Sequence, residues 1–134
     1  MRFLARLCRL ALTQRKANMG ERVPDASAHI SERMWQDKVE QVAIINGWIV
    51  DHKIPMRFNG RPFTTGKAGM PDLILIHPRG HGIIYAELKT ERGKLSPAQI
   101  EVAAALRANG AEYYLWRPSQ MHEVEERLGR WRKQ

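Results

Sequence analysis

Two carboxylates and one lysine lie at the ends of two apolar segments that a glycine-rich turn connects. Asp72 begins the first segment, and Glu87 and Lys89 end the second. Antiparallel pairing about a turn centred near Gly80 sets Asp72 opposite residues close to Leu88. Asp72 and Glu87 then come close together, and Lys89 shares the face of Glu87 because side chains alternate along a strand. The spacing predicts a cluster of two acids and one ammonium group at one end of a β-hairpin.

Such a cluster is unfavourable on its own, because unpaired ions beside apolar strands are poorly solvated and two adjacent carboxylates raise one pKa sharply. A divalent cation resolves this conflict. Mg²⁺ prefers oxygen ligands and keeps several waters, so two carboxylates suffice to hold it. Bound to phosphate, it can polarise a phosphoryl oxygen and lower the pKa of a water, which Lys89 could orient or deprotonate. The alternative is an internal Lys–Glu ion pair that ends a strand.

The helix expected before these strands carries a third acid. Its apolar stripe includes Trp35 and Val39. At about 100° per residue, Glu32 falls on this stripe and points toward the sheet, whereas Glu40 faces solvent. A favourable interaction with the positive end of the helix, after the cap Ser31, is the alternative role of Glu32.

A glutamine in the second helix has two competing roles. Ser96-x-x-Gln99 fits a capping box, in which the glutamine side chain bonds back to the backbone of the capping residue. The alternative is that Gln99 reaches into the metal pocket. We expect one rotamer to serve only one of these roles.

Hydrophobic spacing and turn residues predict the elements that position these side chains. Two nearly continuous apolar strands are expected at the centre of a sheet that is covered on both faces. The order of elements indicates an α/β fold in which helices flank a short mixed sheet. The predicted elements are a helix at 31–46, a strand at 48–50, a loop at 53–70, strands at 72–77 and 83–89, a helix at 96–109, a strand at 112–116 and a helix at 119–128.

Composition and charge limit the classes of protein that fit. The chain has 134 residues, of which 43% are hydrophobic, which suits one folded domain. A single cysteine, Cys8, excludes an internal disulfide and a multi-cysteine zinc site. No segment approaches the roughly 18 apolar residues of a membrane span. A formal net charge of +8 favours a polyanionic partner.

The basic residues concentrate in two segments. Residues 1–20 carry five cations and no acid and are expected to form an amphipathic accessory helix, which a linker to residue 30 joins to a domain at 31–134. The 53–70 segment contains four cations and no acid, which suits a loop that contacts phosphates, although a merely solvated loop is the alternative. Its cations are Lys53, Arg57, Arg61 and Lys67.

These motifs, in this order, resemble the virus-type replication-repair nuclease (VRR-NUC) family of the PD-(D/E)xK nuclease superfamily. The resemblance covers about residues 31–128. It is carried by Gly-Met-Pro-Asp-Leu at 69–73, Glu-Leu-Lys at 87–89, Lys-Leu-Ser-Pro-Ala-Gln at 94–99, the helix that begins Ser31-Glu32, and Tyr-Leu-Trp-Arg-Pro at 114–118.

The resemblance implies a PD-(D/E)xK fold and a Mg²⁺- or Mn²⁺-dependent DNA phosphodiesterase. Asp72, Glu87, the backbone carbonyl of Leu88 and Glu32 would hold the metal, and Lys89 would be the catalytic lysine. Gln99 would be the glutamine of the family, and Lys94 would join the four cations of the 53–70 segment in binding DNA.

Small stand-alone members of this family, often phage-encoded, are similar to dimeric Holliday-junction resolvases. The resemblance therefore implies a homodimer that cuts branched or structured DNA during replication, recombination or repair. The expected location is the cytoplasm of a bacterium or of a phage-infected host cell. A catalytically silent nucleic-acid-binding module on the same scaffold is the alternative function, and cleavage of RNA is a third.

Overall fold

The computed structural model describes residues 29–64 and 66–130, so the predicted helix at residues 1–20 lies outside the described residues. The described part contains three α-helices and six strands. In chain order these are α1 (Glu32–Ile45), β1 (Ile49–His52), β2 (Pro55–Phe58), β3 (Arg61–Thr64), β4 (Leu73–Ile76), β5 (Ile83–Leu88), α2 (Pro97–Ala108), β6 (Glu112–Trp116), a 3₁₀ turn (Pro118–Gln120) and α3 (Met121–Gly129).

Four strands form one mixed sheet in the order β1-β4-β5-β6. β4 and β5 are antiparallel neighbours, with Leu73 opposite Ala86. β5 and β6 are parallel, with Glu87 opposite Leu115. The two apolar strands therefore occupy the centre of the sheet, and the predicted α/β fold with a short mixed sheet between helices is confirmed.

The first helix packs its apolar stripe on one face of this sheet. Ser31 caps α1 by accepting a hydrogen bond from the amide of Met34, and Gly47, at φ 83°, follows its end. The indole of Trp35 donates to the carbonyl of Trp116 at 3.1 Å, which fixes α1 against the end of β6. The core on this face consists of Trp35, Val39, Ala43, Trp48, Leu73, Leu75, Ile84, Ala86, Leu88, Trp116, Val124 and Leu128.

The opposite face of the sheet is covered only in part. α2 packs against β6 on this side, because it connects β5 to its parallel neighbour. At the far end of the sheet, Ile49, Ile76 and Ile83 lie side by side and remain exposed. The prediction that both faces of the central strands are covered is wrong at this end.

The 53–70 segment is not a continuous loop, and this prediction is wrong for residues 55–64. β2 and β3 pair as an antiparallel hairpin, with Phe58 opposite Arg61. Asn59 and Gly60 connect them with φ values of 50° and 74°. A two-residue turn with positive φ at both positions matches the twist of paired strands, and Asn-Gly adopts it readily.

None of the helices in the described ranges is long and apolar enough to cross a membrane.

Candidate active site

The β4–β5 hairpin brings Asp72 and Glu87 together at one edge of the sheet. Asp72 immediately precedes β4, and its Oδ2 accepts a hydrogen bond from the amide of Leu88 at 2.8 Å. The carboxyl group of Asp72 lies close enough to that of Glu87 to raise its pKa. The Glu87 side chain is 1% exposed, so this contact lies almost entirely out of water. The juxtaposition that the strand spacing predicts is present.

This contact changes the protonation of the pair. Burial and, after it, the neighbouring Asp72 carboxyl group raise the pKa of Glu87 from 4.5 to about 8, whereas Lys89 and Lys53 oppose the shift. Two adjacent carboxylates cannot both ionise in a poorly solvated position without a compensating positive charge. The pair therefore holds a proton at neutral pH unless another cation replaces it.

Lys89 supplies one positive charge beside the pair. Its Nζ lies 3.7 Å from Oε1 of Glu87 and 4.0 Å from Oε1 of Glu32. Its backbone amide donates to the carbonyl of Trp116 at 3.1 Å, which continues the β5–β6 pairing past Leu88. The ammonium group is largely buried and close to the acids, which suits a role at a reacting phosphate.

Glu32 reaches this site through Lys89. It is the first residue of α1, and half of its side chain is exposed. Among the described residues, no three acidic, histidine or cysteine side chains form a group that could hold a metal ion. The structure therefore brings Glu32 to the lysine, and it does not place Glu32 in one ligand cluster with Asp72 and Glu87.

Gln99 fills both of its competing roles in one rotamer. Its Oε1 accepts from the amide of Ser96 at 2.8 Å, and Oγ of Ser96 accepts from the amide of Gln99 at 3.2 Å, which completes the capping box. Its Nε2 donates to Oε1 of Glu87 at 2.6 Å. The expectation that these roles exclude each other is wrong, because the oxygen and the nitrogen of the amide point in different directions. The cap directs the amide nitrogen toward Glu87.

The donor set fits a hard divalent cation. Asp72 and Glu87 offer adjacent carboxylate oxygens, which Mg²⁺ and Mn²⁺ prefer over nitrogen or sulfur ligands. A cation there would replace the shared proton and allow both groups to ionise. The side-chain nitrogens of Lys89 and Gln99 lie beside Glu87 and pair with its carboxylate, so they are not free to act as metal ligands.

Comparisons with known proteins identify the family of the chain. The family model of the VRR-NUC domain matches residues 10–120. The chain belongs to the VRR-NUC family. A solved structure described as "VRR_NUC domain" is 27% identical, with a TM-score of 0.54, and the alignment covers 71% of this chain and 94% of that one. A comparison with curated proteins found no match. The resemblance seen in the motifs is confirmed, and the chain contains a nuclease domain.

The expected DNA-binding cations of this VRR-NUC domain occupy different positions. Lys53 is half-buried next to the acid pair, where its amide donates to the carbonyl of Asp72 at 3.2 Å and its Nζ donates to the carbonyl of Met70. The other four side chains are exposed, on the β2–β3 hairpin or on loops that border the site. These are Arg57, Arg61, Lys67 and Lys94.

A glycine before the VRR-NUC acid motif has a steric role that the sequence patterns do not predict. Gly69 has φ 88°, and a Cβ there would lie 2.3 Å from the carbonyl oxygen of Ala98 in the first turn of α2. The loop that carries Asp72 can approach the start of α2 only because Gly69 lacks a side chain. This close approach helps to bring Asp72 and Gln99 to the same edge of the sheet.

Arg117 holds the loop that follows Lys89, a second role that the sequence patterns do not predict. One nitrogen of its guanidinium group, Nη1, donates to the carbonyls of Thr90, Glu91 and Gly93. The only signal in the sequence is that Arg117 lies in the Tyr-Leu-Trp-Arg-Pro segment of the resemblance. Nothing in its spacing indicates that its partners lie about 25 residues earlier.

Proposed function

We propose that this VRR-NUC protein is a Mg²⁺- or Mn²⁺-dependent endonuclease that hydrolyses phosphodiester bonds in branched or otherwise structured DNA. The observation that carries the proposal is the buried contact between Asp72 and Glu87, in which the pKa of Glu87 rises to about 8. A proton shared between two carboxylates is easily exchanged for a divalent cation. A nuclease domain with this acid pair and an adjacent lysine has the groups that phosphodiester hydrolysis requires.

The metal would be held by Asp72, Glu87 and the carbonyl of Leu88. When bound, it supplies positive charge that neutralises the phosphodiester and makes phosphorus more susceptible to attack. Asp72 is oriented for this task by the amide of Leu88, and Glu87 by the amide nitrogen of Gln99. Hydrogen bonds to both carboxylates fix their rotamers before the substrate arrives.

Lys89 is the residue that we assign to the reacting phosphate. Its Nζ lies beside Glu87, so it can orient the attacking water and stabilise the negative charge that develops on the phosphoryl oxygens. Glu32, whose Oε1 lies 4.0 Å away, forms an ion pair with this ammonium group and limits where Nζ can move. Glu32 is then a positioning residue for Lys89.

The preference for branched DNA and the homodimeric state follow from the resemblance to small stand-alone members of the family. Resolving a four-way junction requires two symmetric cuts, which two copies of one site related by a two-fold axis can make. A net charge of +8 and the exposed cations beside the site support a polyanionic substrate. We place this activity in the cytoplasm of a bacterium or phage-infected cell.

Cleavage and binding assays on matched variants test this proposal. We expect Asp72→Ala and Lys89→Ala to lower Mg²⁺-dependent cleavage of linear, flap or four-way-junction DNA by at least about 10³-fold, because each removes several kcal/mol of transition-state stabilisation. DNA binding should survive in both variants. The controls are Glu125→Ala, which removes an exposed acid on α3, and Lys38→Ala, which removes an exposed lysine on α1.

The same assays separate the competing functions. Full cleavage by both Asp72→Ala and Lys89→Ala would overturn the mechanism. Binding without a product on any substrate, across a titration of Mg²⁺ and of Mn²⁺, would favour the silent binding module, and selective cutting of RNA would favour the third function. Light scattering on the same samples measures whether the chain is a dimer.

A further inference from the structure

The β2–β3 hairpin stands apart from the rest of the described fold. Its strands pair only with each other and form a separate two-stranded sheet. They make few contacts with the other described helices and strands, and none of their residues belongs to the hydrophobic core. The hairpin starts directly after Lys53 and Ile54, and Lys53 contacts the loop that leads to Asp72. The hairpin therefore projects from the edge of the sheet that holds the acid pair.

One face of this hairpin is apolar and exposed to solvent. Met56 lies opposite Phe63, and Phe58 lies opposite Arg61, so all four side chains share a face, which we call the hairpin face. Phe58 is 69% exposed, Met56 45% and Phe63 44%. The reverse face carries Arg57, which is also exposed. Two phenylalanines this exposed on a projecting ribbon mark a contact surface rather than part of the core.

Charge around the hairpin face favours a nucleic acid as its partner. Residues 53–70 contain four cations and no acid. A second copy of this chain packing face to face would place two copies of Arg61 in the same interface without an acid from residues 53–70, because a two-fold interface repeats each residue on both sides. A nucleic acid instead offers phosphates to the arginines and flat π-faces to the phenylalanines.

The dimensions of the hairpin also suit contact with a nucleic acid. Four-residue strands reach about 13 Å at roughly 3.3 Å per residue, which is comparable to a few base steps. A two-stranded ribbon can enter the major groove of a duplex. Apolar side chains insert between base steps most readily where the bases are already unstacked.

We propose that the hairpin face stacks on unpaired or unstacked nucleobases beside the phosphodiester that the acid site engages. The inference rests on the proposed nuclease function, and it names the substrate feature that this site selects: bases exposed at a bulge, a flap or a branch point. Phe58 is the principal contact because it is the most exposed and lies next to the turn. Arg57 and Arg61 contact the flanking phosphates.

Fluorescence of 2-aminopurine tests the inference without requiring cleavage. The full chain is mixed, in EDTA, with two DNAs of the same sequence, one fully paired and one with a bulge that contains 2-aminopurine. We expect the wild-type chain to bind the bulged DNA more tightly and to quench its fluorescence by stacking. Phe58→Ala should weaken binding to the bulge by about 5- to 150-fold and abolish the quenching.

Further variants distinguish stacking from apolar contact and from charge. Phe58→Trp should restore the bulge preference, whereas Phe58→Leu should not, since leucine is apolar but has no π-face. Arg57→Ala should weaken binding to both DNAs equally and lower the slope of binding against salt by about one. Ile44→Ala, which removes a similarly exposed apolar side chain from α1, is the matched control and should change neither readout.

Two results would overturn the inference. One is unchanged bulge preference and quenching in Phe58→Ala. The other is a change in native mass by light scattering in Phe58→Ala or Phe58→Leu, which would show that the hairpin face binds a second copy. The fluorescence assay contains no divalent metal, so it does not depend on cleavage. A chain that stacks on bulged DNA in this assay but gives no product in the Mg²⁺ and Mn²⁺ cleavage assays would contradict the proposed function and leave the hairpin inference standing.

Discussion

The parallel β5–β6 ladder carries one glutamate near each end, and the two have opposite surroundings. At the start of β6, Glu112 accepts hydrogen bonds from the guanidinium of Arg127, one of them at 2.8 Å from Nη2, and from the hydroxyl of Tyr114 at 2.8 Å. Near the end of β5, Glu87 faces the carboxyl group of Asp72. Glu112 accepts hydrogen bonds from several donors, whereas Glu87 lies next to a second acid.

The pKa shifts follow from these surroundings. The hydrogen bond from Arg127 lowers the pKa of Glu112, and the same bond raises the pKa of Arg127. Burial and Asp72 raise the pKa of Glu87 to about 8. The Glu112 pair is complete in the protein alone and serves stability. The Glu87 site instead brings two acids together with a strongly raised pKa, which is a property expected of a functional site.

The same substitution at both ends should therefore have opposite effects. We expect Glu87→Gln to lower the cleavage rate by at least about 10³-fold, because it removes a ligand charge, and to leave the free energy of unfolding at pH 8 unchanged or higher. Glu112→Gln should lower the free energy of unfolding by about 1–3 kcal/mol, because it leaves the buried Arg127 without its anionic partner.

Denaturant unfolding measures the free energy of unfolding of each variant, and single-turnover cleavage of the same preparations measures its rate. The rate per folded molecule of Glu112→Gln should stay within about twofold of wild type, since Glu112 lies away from the acid pair. A large loss of cleavage rate in Glu112→Gln, or a clear loss of stability in Glu87→Gln, would contradict the assignment of stability to one end of the β5–β6 ladder and of function to the other.

The two glutamates should also give opposite dependences of stability on pH. The pKa of Glu87 is higher in the folded chain, at about 8, than its ordinary value of 4.5, so its contribution is full below about pH 4.5 and is lost as the pH rises through 8. The pKa of Glu112 is lowered on folding, so its contribution is present above its ordinary pKa and is lost as the pH falls through the lowered one.

In EDTA, we expect the free energy of unfolding to fall by about 2 kcal/mol between pH 6 and pH 8, because folded Glu87 holds a proton that the unfolded chain has released. Glu87→Gln should remove this dependence, and saturating Mg²⁺ should reduce it, because a bound cation displaces the proton. Unfolding curves at several pH values provide the test. A wild-type chain whose stability is flat over this interval would contradict a protonated acid pair.

The acid pair could be predicted because every signal for it is local. Alternating directions along two apolar strands and a glycine-rich turn bring Asp72 and Glu87 together, and Lys89 follows two residues later. The hairpin at residues 55–64 also has a local signal, Asn59-Gly60 between residues with strand propensity. The prolines and other glycines that surround this signal predict a loop instead, and they outweigh it in the sequence.

The remaining features depend on contacts between distant parts of the chain. Gln99 reaches Glu87 only because α2 begins at the edge where β5 ends. Arg117 and Gly69 contact backbone segments that are distant in the sequence, and hydrophobic periodicity does not predict these contacts. Sequence spacing predicts which face of a helix or strand a side chain occupies. These roles depend instead on which helices, strands and loops contact each other, and the packing of the whole domain determines that.

The smallest predicted effect concerns the link between a helix cap and the acid pair. Ser31 and Ser96 cap α1 and α2 through the same type of hydrogen bond, each at 3.2 Å. Replacing either serine with alanine should lower the free energy of unfolding by about 1 kcal/mol. Only the residue that Ser96 holds, Gln99, goes on to orient Glu87, whereas Ser31 holds the exposed Met34.

Ser96→Ala should therefore lower the cleavage rate about three- to tenfold through a looser Gln99, whereas Ser31→Ala should change it less than about twofold. Ser96→Asp, which can accept the same hydrogen bond, should restore both stability and rate. Equal losses of rate in the two alanine variants would mean that destabilisation alone slows cleavage. An unchanged rate in Ser96→Ala would mean that the bond from Gln99 to Glu87 persists without the cap, and the acid pair would then depend on the position of α2 rather than on its first turn.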